Sequence, residues 1–165
     1  MATKKDAAQK QADEQLKVNE KKWSKTLMNS GWTALPSVIL ERQQALGLDA
    51  IDVNILMHLA SYWWTAENKP HPSKKTIAAA IGIDSRTVQR HIARLEAGNL
   101  IKREQRRLPG KGSKTNLYHF DGLIEAATPY AQEKLENIAR RQAEQAARAK
   151  KKGKPILTVV SSEDD

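Results

Sequence analysis

The sequence predicts a mainly α-helical protein with a small β-hairpin, an α+β fold in which helical extensions flank one central domain. Two short helical patterns joined by a tight turn occupy residues 73–98. Two stretches around a glycine-rich tip occupy residues 102–120 and predict the hairpin. Polar, alanine-rich stretches at 2–22 and 129–150 predict helices outside the domain.

The first of the two central helices is predicted to begin after Ser73. The side-chain oxygen of a serine at this position can accept a hydrogen bond from an unpaired N–H of the first turn. Ile77 and Ile81 lie four residues apart and give the helix one apolar stripe. Gly82 follows, and glycine often closes a helix because it adopts the left-handed conformation at little steric cost.

The second central helix is predicted to begin after Asp84 and to end at Gly98. Its apolar face repeats at helical spacing through Val88, Ile92 and Leu95. The opposite face carries a small residue among arginines and a glutamine: Arg86, Gln89, Arg90, Ala93 and Arg94. A helix with an apolar back and such a front is suited to lie in a groove of DNA.

The pair of helices resembles the helix-turn-helix motif. Ala78, Gly82 and Val88 fall at relative spacings of 0, +4 and +10, which is typical of that motif. With the hairpin that follows, residues 32 to 120 resemble the winged helix-turn-helix domain of phage and plasmid replication proteins and related regulators. The resemblance implies a domain that binds double-stranded DNA. His91 departs from the small or apolar residue usual in that family.

Positive charge is concentrated in the same region. The chain has a net charge of +9. Residues 69–120 contain twelve Lys or Arg and three Asp or Glu, whereas the remainder contains sixteen of each sign. All the excess charge therefore belongs to the two central helices and the hairpin, as expected for a surface that contacts DNA phosphates.

Several other classes of protein are disfavoured by what the sequence contains. Cysteine is absent, which excludes disulfides, zinc fingers and cysteine nucleophiles. The four histidines lack ligand spacing with a carboxylate, and residues 110–115 lack the Gly-Lys-Ser/Thr triplet of a nucleotide-binding loop. We therefore expect no enzyme activity, metal or cofactor. Without a membrane-spanning run or a signal-peptide core, we expect a cytoplasmic, nucleoid-associated protein.

We divide the chain into four predicted parts. Residues 1–30 form a polar arm, helical or disordered, and residues 31–122 form the winged helix-turn-helix domain. Residues 123–150 form a C-terminal helix, and residues 151–165 form a disordered tail. The arm is either a floppy extension or a docking site for a protein partner.

Upstream of the two central helices, three segments are predicted to support them. Residues 32–35 have β character before Pro36 and are expected to form an edge strand beside the hairpin. A helix is expected from Ser37 to about Leu46. A central core helix capped by Asp49 follows, and it carries Trp63 on its apolar stripe.

Downstream, the hairpin is predicted from strands at 102–107 and 115–120 around a basic tip. Thr128 and Pro129 are expected to start the C-terminal helix, because proline suits the first helical position. This helix pairs with its twin in a homodimer, packs along the N-terminal arm, or stays solvated. A short β-prone run at 156–160 adds to a sheet edge, binds a partner, or has no role.

The predicted DNA contacts follow from residue type and position. Arginines and glutamine of the second helix are expected at base edges, and hydroxyls, lysines and hairpin cations at phosphates or in the minor groove. The residues are Lys74, Lys75, Thr76, Ser85, Arg86, Thr87, Gln89, Arg90, Arg94, Arg106, Arg107, Lys111 and Lys114.

Three functions remain open from the sequence. The first is a sequence-specific regulator of transcription, a repressor of a mobile element, acting as a homodimer on double-stranded DNA. The second is a plasmid or phage replication or partition protein that binds an origin. The third is a winged helix that binds proteins, against which the concentrated positive charge argues.

Overall fold

Residues 4–108 and 112–151 are described by a computed structural model, with side chains for residues 14–106 and 114–149. Within this part of the chain there are seven helices and four short strands. In chain order they are α1 (Lys4–Trp23), α2 (Lys25–Asn29), α3 (Ser37–Glu41), α4 (Ala50–Ser61), α5 (Lys74–Ile81), α6 (Ser85–Ala97), β1 (Lys102–Glu104), β2 (Arg107–Leu108), β3 (Gly112–Ser113), β4 (Leu117–His119) and α7 (Asp121–Lys151).

The caps of α5 and α6 confirm the predicted helix boundaries. Ser73 Oγ accepts a hydrogen bond from the Thr76 N–H at 3.0 Å, and Gly82 closes α5 in the left-handed conformation at φ 80°. Asp84 Oδ1 accepts from the N–H groups of Arg86 and Thr87 at 2.8 and 2.9 Å. The two helices therefore start and stop where local hydrogen bonding is available.

The end of α6 differs in one detail from the expectation. Gly98 follows the helix, but its φ is −78°, and the left-handed residue is Asn99 at φ 55°. Asparagine tolerates that conformation because its short polar side chain can hydrogen-bond locally. The turn between α6 and the hairpin is therefore made one residue later than the glycine.

The core lies where α4, α5 and α6 meet the base of the hairpin. The apolar face predicted for α6 is confirmed, because Val88, Ile92 and Leu95 are at most 1% exposed. They belong to one cluster with side chains from the neighbouring elements, among them Ile55, Leu56, Leu59, Ile77, Tyr118 and Leu123. Burial of this face sets which side of α6 is left for solvent.

The hairpin is made of two paired segments. β1 pairs antiparallel with β4 in the register Lys102 with His119, and β2 pairs antiparallel with β3. Between them the Lys114 N–H donates to the Arg106 carbonyl at 3.0 Å. The predicted strand at 102–107 is thus interrupted at residues 105–106. The predicted return strand at 115–120 is the shorter β4, and β3 lies in the predicted tip. Residues 109–111 lie outside the described part of the chain.

The predicted edge strand at residues 32–35 is wrong. Residues 31–36 have no regular secondary structure, and the Tyr118 N–H donates to the Pro70 carbonyl at 2.9 Å. The loop before α5, and not the segment before Pro36, therefore bonds to the hairpin next to β4. A β-prone segment without a neighbouring strand gains no ladder hydrogen bonds and stays irregular.

Two further support helices are shorter than predicted. The helix expected from Ser37 to about Leu46 ends at Glu41, and hydrogen-bonded turns lead to Gly47 at φ 69°. α4 ends at Ser61, so Trp63 lies outside it. Trp63 still packs on the core, because its ring stacks on that of Phe120 with centroids 5.2 Å apart.

The predicted start of the C-terminal helix is wrong. α7 begins at Asp121 and passes through Pro129. Proline has no N–H for the helical ladder, and the Thr128 hydroxyl beside it donates to the Ile124 carbonyl at 2.6 Å. Thr128 is therefore not an N-cap, and the helix begins seven residues earlier, at Asp121.

The division of the chain into an N-terminal arm, a central domain, a C-terminal helix and a tail stays a prediction. Most of residues 1–30 is helical, as α1 and α2. Residues 152–165, including the β-prone run at 156–160, lie outside the described part of the chain. No helix among the described residues is both long and apolar enough to cross a membrane.

Gly122 provides a test of how α7 is attached to the domain. A Cβ added there would lie 1.8 Å from the Asn99 carbonyl oxygen, whereas one at Gly98 would meet only ordinary contacts of 3.5 Å or more. We expect Gly122→Ala to lower the free energy of unfolding by about 1–3 kcal/mol, the usual cost of overpacking.

Urea denaturation measures this difference, with Gly98→Ala as the matched control. The control should change the free energy of unfolding by no more than about 0.5 kcal/mol. Equal effects of the two substitutions would show that the first turn of α7 is not held against the turn after α6.

Candidate nucleic-acid interface

The exposed face of α6 is a row of polar side chains directed away from the core. Arg86, Gln89, Arg90 and Ala93 are all exposed, and their spacing of three, four and seven residues places them on one side of the helix. With Asp84 and Thr87 they line a shallow groove on the surface. Small Ala93 keeps the centre of this face low, so that another surface can approach.

Two residues of the predicted contact set are joined by a hydrogen bond across the helix pair. Lys74 Nζ at the start of α5 donates to Gln89 Oε1 at 2.7 Å. The bond leaves the Gln89 amide nitrogen as a donor. Lys75 is exposed beside Lys74. The start of α5 and the face of α6 therefore form one continuous basic surface.

The hydroxyl residues at the helix starts are used within the chain. Thr87 Oγ1 donates to Asp84 Oδ2 at 2.6 Å, and Thr76 Oγ1 lies 2.8 Å from Ser73 Oγ. The hydrogen bond from the Thr87 hydroxyl, followed by those from the Thr87 and Arg86 N–H groups, lowers the pKa of Asp84. Thr87 thus holds a negatively charged cap, while Ser85 is half-buried beside it.

Arg94, also a predicted DNA contact, lies at the edge of the exposed face and is engaged within the fold. Its guanidinium pairs with the Asp49 carboxylate, lies 3.1 Å from Asp52 Oδ2, and donates to the Gly47 carbonyl at 2.8 Å. Eight residues after Arg86, an α-helix has turned about 80° beyond two full turns. That rotation takes Arg94 to the edge of the face, within reach of the start of α4.

Arg94 belongs to a partly buried polar cluster that the sequence did not predict. Asp52 is fully buried, and its Oδ1 lies 2.8 Å from Nδ1 of His91, which is 8% exposed. Asp52 Oδ2 accepts from the Asp49 N–H at 3.0 Å, and Asp49 Oδ1 accepts from the Asp52 N–H at 2.8 Å. The sequence predicts Asp49 as the cap of α4. The signal for the cluster is the acidic residue three positions later, Asp52, which completes a capping box.

The cluster explains why a histidine occupies position 91. A buried polar side chain needs a hydrogen-bond partner, and Asp52 on α4 supplies it. The two residues are 39 positions apart, so no local pattern joins them. His91 therefore ties α6 to the first turn of α4.

The same cluster contains three groups that could in principle hold a metal ion. One ligand atom each from Asp49, Asp52 and His91 lies within 4.8 Å of the others. The Arg94 guanidinium contacts both carboxylates, so a cation already compensates their charge. Burial raises the pKa of Asp49, but hydrogen bonds from the Asp52 N–H and Arg94, and the charges of His91 and Arg94, outweigh it and lower the pKa.

The hairpin cations divide into structural and exposed ones. Arg106 bridges the hairpin, because its Nε donates to the Thr115 carbonyl at 2.8 Å and its Nη2 to Thr115 Oγ1 at 3.1 Å. Arg103 Nη2 donates to Glu96 Oε2 on α6 at 2.6 Å, which docks the hairpin on the helix. Lys114 and Lys102 are exposed, and Lys102 was absent from the predicted contacts.

The remaining predicted hairpin contacts lie partly or wholly outside the description. The backbone of Arg107 forms β2, but its side chain is not among those described, and Lys111 lies in the undescribed tip. Among the described side chains of α5, α6 and the hairpin, seven cations form no ion pair, in contrast to Arg94 and Arg103. One is Arg106, which bonds to neutral Thr115. The other six are Lys74, Lys75, Arg86, Arg90, Lys102 and Lys114.

Comparison with known families agrees with this geometry. Residues 46–101 match the model of a family described as a helix-turn-helix domain. This part of the chain carries a helix-turn-helix domain, and with the hairpin the fold is that of a winged helix-turn-helix. The matched residues include α4, α5 and α6, and the hairpin that forms the wing follows directly.

Three solved structures have partial similarity to this chain. The N-terminal domain of the DnaD protein from Geobacillus kaustophilus has a TM-score of 0.48 and 18% identity, covering 72% of this chain and 93% of that one. A possible transcriptional regulator from Methanosarcina mazei has a TM-score of 0.42 and 19% identity, covering 66% and 85%. The YusO protein from Bacillus subtilis has a TM-score of 0.37 and 18% identity, covering 88% and 95%.

These TM-scores and identities are low, so nothing about this chain follows from the three structures. A comparison with curated proteins gives no match to the sequence.

The buried cluster can be tested through Asp52. Asp52→Ala removes the partner of buried His91 and one half of the reciprocal cap of α4. We expect the free energy of unfolding to fall by about 2–4 kcal/mol, the sum of an unpaired buried group and a lost helix cap.

Chemical denaturation is the measurement, and Glu67→Ala is the control because Glu67 is an exposed acid in the loop before α5. The control should lie within about 0.5 kcal/mol of the unsubstituted protein. If both substitutions have the same small effect, the cluster does not hold α6 on α4.

Proposed function

We propose that this protein is a sequence-specific double-stranded DNA-binding regulator of transcription that acts as the repressor of a mobile element. The observation that carries the proposal is the division of arginines on α6. Arg94 is paired within the fold, whereas Arg86 and Arg90 are exposed and form no ion pair with any described side chain. A guanidinium without a protein partner can make a bidentate contact with a guanine edge.

In the proposed complex α6 enters the major groove with its N-terminal half nearest the bases. Arg86 and Arg90 recognise guanine through O6 and N7. Gln89 contacts adenine, and Lys74, bonded to it, either orients its amide or moves to a phosphate. Each good bidentate contact gives about 1–3 kcal/mol of discrimination between bases.

The wing and the start of α5 are proposed to hold the DNA backbone. Lysines neutralise phosphates as point charges, and the wing reaches phosphates or the minor groove. The residues assigned here are Lys75, Thr76, Ser85, Lys102, Arg106, Arg107, Lys111 and Lys114. Thr87 is proposed to act through Asp84, because its hydroxyl donates to the carboxylate that caps α6.

A homodimer is the proposed active form. Leu135 and Ile138 of α7 are 65% and 40% exposed, and a helix that shows large apolar side chains to water favours a partner. A two-fold dimer would place two copies of α6 on half-sites about one helical turn apart. The proposed location is the cytoplasm, in association with the nucleoid.

The N-terminal arm is proposed to receive a protein partner. Trp23, Leu27 and Trp32 are each more than half exposed and line a groove between α1, α2 and the segment before α3. Exposed tryptophans of this kind are frequent at the centre of protein interfaces. The arm would then connect the DNA-bound regulator to another protein.

Selection of bound fragments from the source genome tests the function. Fragments should share a two-fold motif near a promoter, with half-sites about 10 base pairs apart, and footprinting should protect both. If the recovered fragments are repeats from a replication origin, the protein is a replication protein and not a transcriptional regulator. Recovery of fragments without a shared motif would refute sequence-specific binding.

A pair of substitutions separates base contacts from phosphate contacts. Arg90→Ala should weaken binding to the selected site and reduce its preference over random DNA by about 1–3 kcal/mol, because a base contact is lost. Lys75→Ala should weaken both sequences equally and reduce the salt-dependence slope by about one.

Fluorescence anisotropy at several salt concentrations measures both effects. Arg90 is assigned wrongly if its substitution weakens all sequences to the same degree. Lys75 lies outside the interface if its slope is unchanged.

A further inference from the structure

The distal half of α7 extends beyond its contacts with the domain. Its proximal half packs Leu123 and Ala127 into the core and forms two exposed ion pairs at the end of α3, Glu133 with Arg42 at 3.2 Å and Lys134 with Glu41 at 2.6 Å. Ile138 and Arg141 still line a surface groove with Glu41 and Arg42. From residue 142 to 149 the helix continues for about two turns with every side chain exposed.

This distal half is basic. Residues 140–151 contain five Lys or Arg and one acid, Glu144. The even charge balance outside residues 69–120 thus conceals a local excess of four positive charges in this half of the helix. A second basic region is present, separate in sequence from the wing and α6.

The arginines of this stretch are not neutralised within the described fold. Arg140, Arg141 and Arg148 are exposed and form no ion pair with a described side chain, although Glu144 is four residues from both Arg140 and Arg148. Arg140 Nη2 donates to the neutral Asn137 Oδ1 at 2.8 Å. The charges are therefore available to an external anion.

Helix stability does not account for the pattern. Cations near a helix C-terminus are favoured by the helix dipole, but only within the last turn. Arg140 and Arg141 lie about three turns before the end of α7. Like charges spaced three or four residues apart, such as Arg148 and Lys151, disfavour an isolated helix.

The residues also indicate which partner fits. After Ile138 the helix has no large apolar side chain as far as Lys151, and its remaining apolar residues are alanines. A membrane-surface helix needs a substantial apolar face, which this stretch lacks. A polyanion with regularly spaced charges, such as the backbone of duplex DNA, matches a basic, polar helix.

We propose that residues 140–151 of α7 form a second, sequence-independent contact with DNA phosphates. The segment is about 18 Å long as a helix, which corresponds to about five base pairs of duplex. The inference rests on the proposed DNA-binding function and adds to it. α6 supplies sequence preference, while the distal half of α7 adds affinity that is equal for all sequences and sensitive to salt.

The test compares full-length variants on random duplex DNA. The triple variant Arg140→Gln, Arg141→Gln, Arg148→Gln should reduce the slope of log affinity against log salt by up to about 2.7, since each released phosphate contact contributes about 0.9. The preference for a selected site over random DNA should stay unchanged. The matched variant Arg140→Lys, Arg141→Lys, Arg148→Lys keeps the charge and should keep the slope.

A substitution of opposite sign guards against effects on folding. Glu144→Gln removes the acid of the stretch and should strengthen binding to random DNA. Circular dichroism should show equal helix content in all variants, because arginine, lysine and glutamine have similar helix propensities.

Two outcomes would overturn the proposal. One is an unchanged slope in the glutamine variant, and the other is an equal loss in the lysine variant, which would exclude a charge contact. If the unsubstituted protein binds no duplex DNA, the proposed function fails, and the second contact fails with it.

Discussion

The position of α6 depends on the hydrogen bonds and ion pairs of one fully buried carboxylate, that of Asp52. It completes the cap of α4, contacts His91 and, with Asp49, compensates Arg94. A buried carboxylate is costly unless every lone pair has a partner, and here the partners come from two helices. The cluster therefore fixes the position of α6 relative to α4, which apolar packing alone would allow to vary. The position of α6 in turn sets the direction in which Arg86 and Arg90 extend.

The basic residues of the domain divide into two groups with different roles. Arg94, Arg103 and Arg106 connect elements to one another, α6 to α4, the wing to α6, and the two sides of the wing. Arg86, Arg90, Lys75 and Lys114 are exposed. Net charge by itself counts both groups equally. Carboxylates compensate Arg94 and Arg103, whereas Arg106 bonds only to neutral Thr115 and keeps its charge. The proposed DNA surface is therefore formed by the cations that no carboxylate pairs with.

Much of the fold could be predicted because its signals are local. The caps at Ser73 and Asp84, the left-handed Gly82 and the apolar face of α6 each depend on residues within one or two turns. The errors arose where a distant contact prevailed. The segment at 32–35 found no strand beside it, since the Pro70 carbonyl accepts from β4. α7 begins at Asp121, where Gly122 lies close to the Asn99 carbonyl, and it runs on through Pro129. Among the site residues, the sequence placed Arg86, Gln89 and Arg90 on one face but could not separate Arg94 from them.

The sequence by itself determined that the chain forms two capped helices followed by a basic hairpin, and that its excess charge gathers there. Helical periodicity, capping and charge are properties of neighbouring residues, so they can be recognised without coordinates. Only the tertiary structure decided which cations are used inside the fold, why a histidine occupies position 91, and how far α7 extends past its last contact. These depend on pairs of residues tens of positions apart, whose distance is set when the core closes around the apolar face of α6.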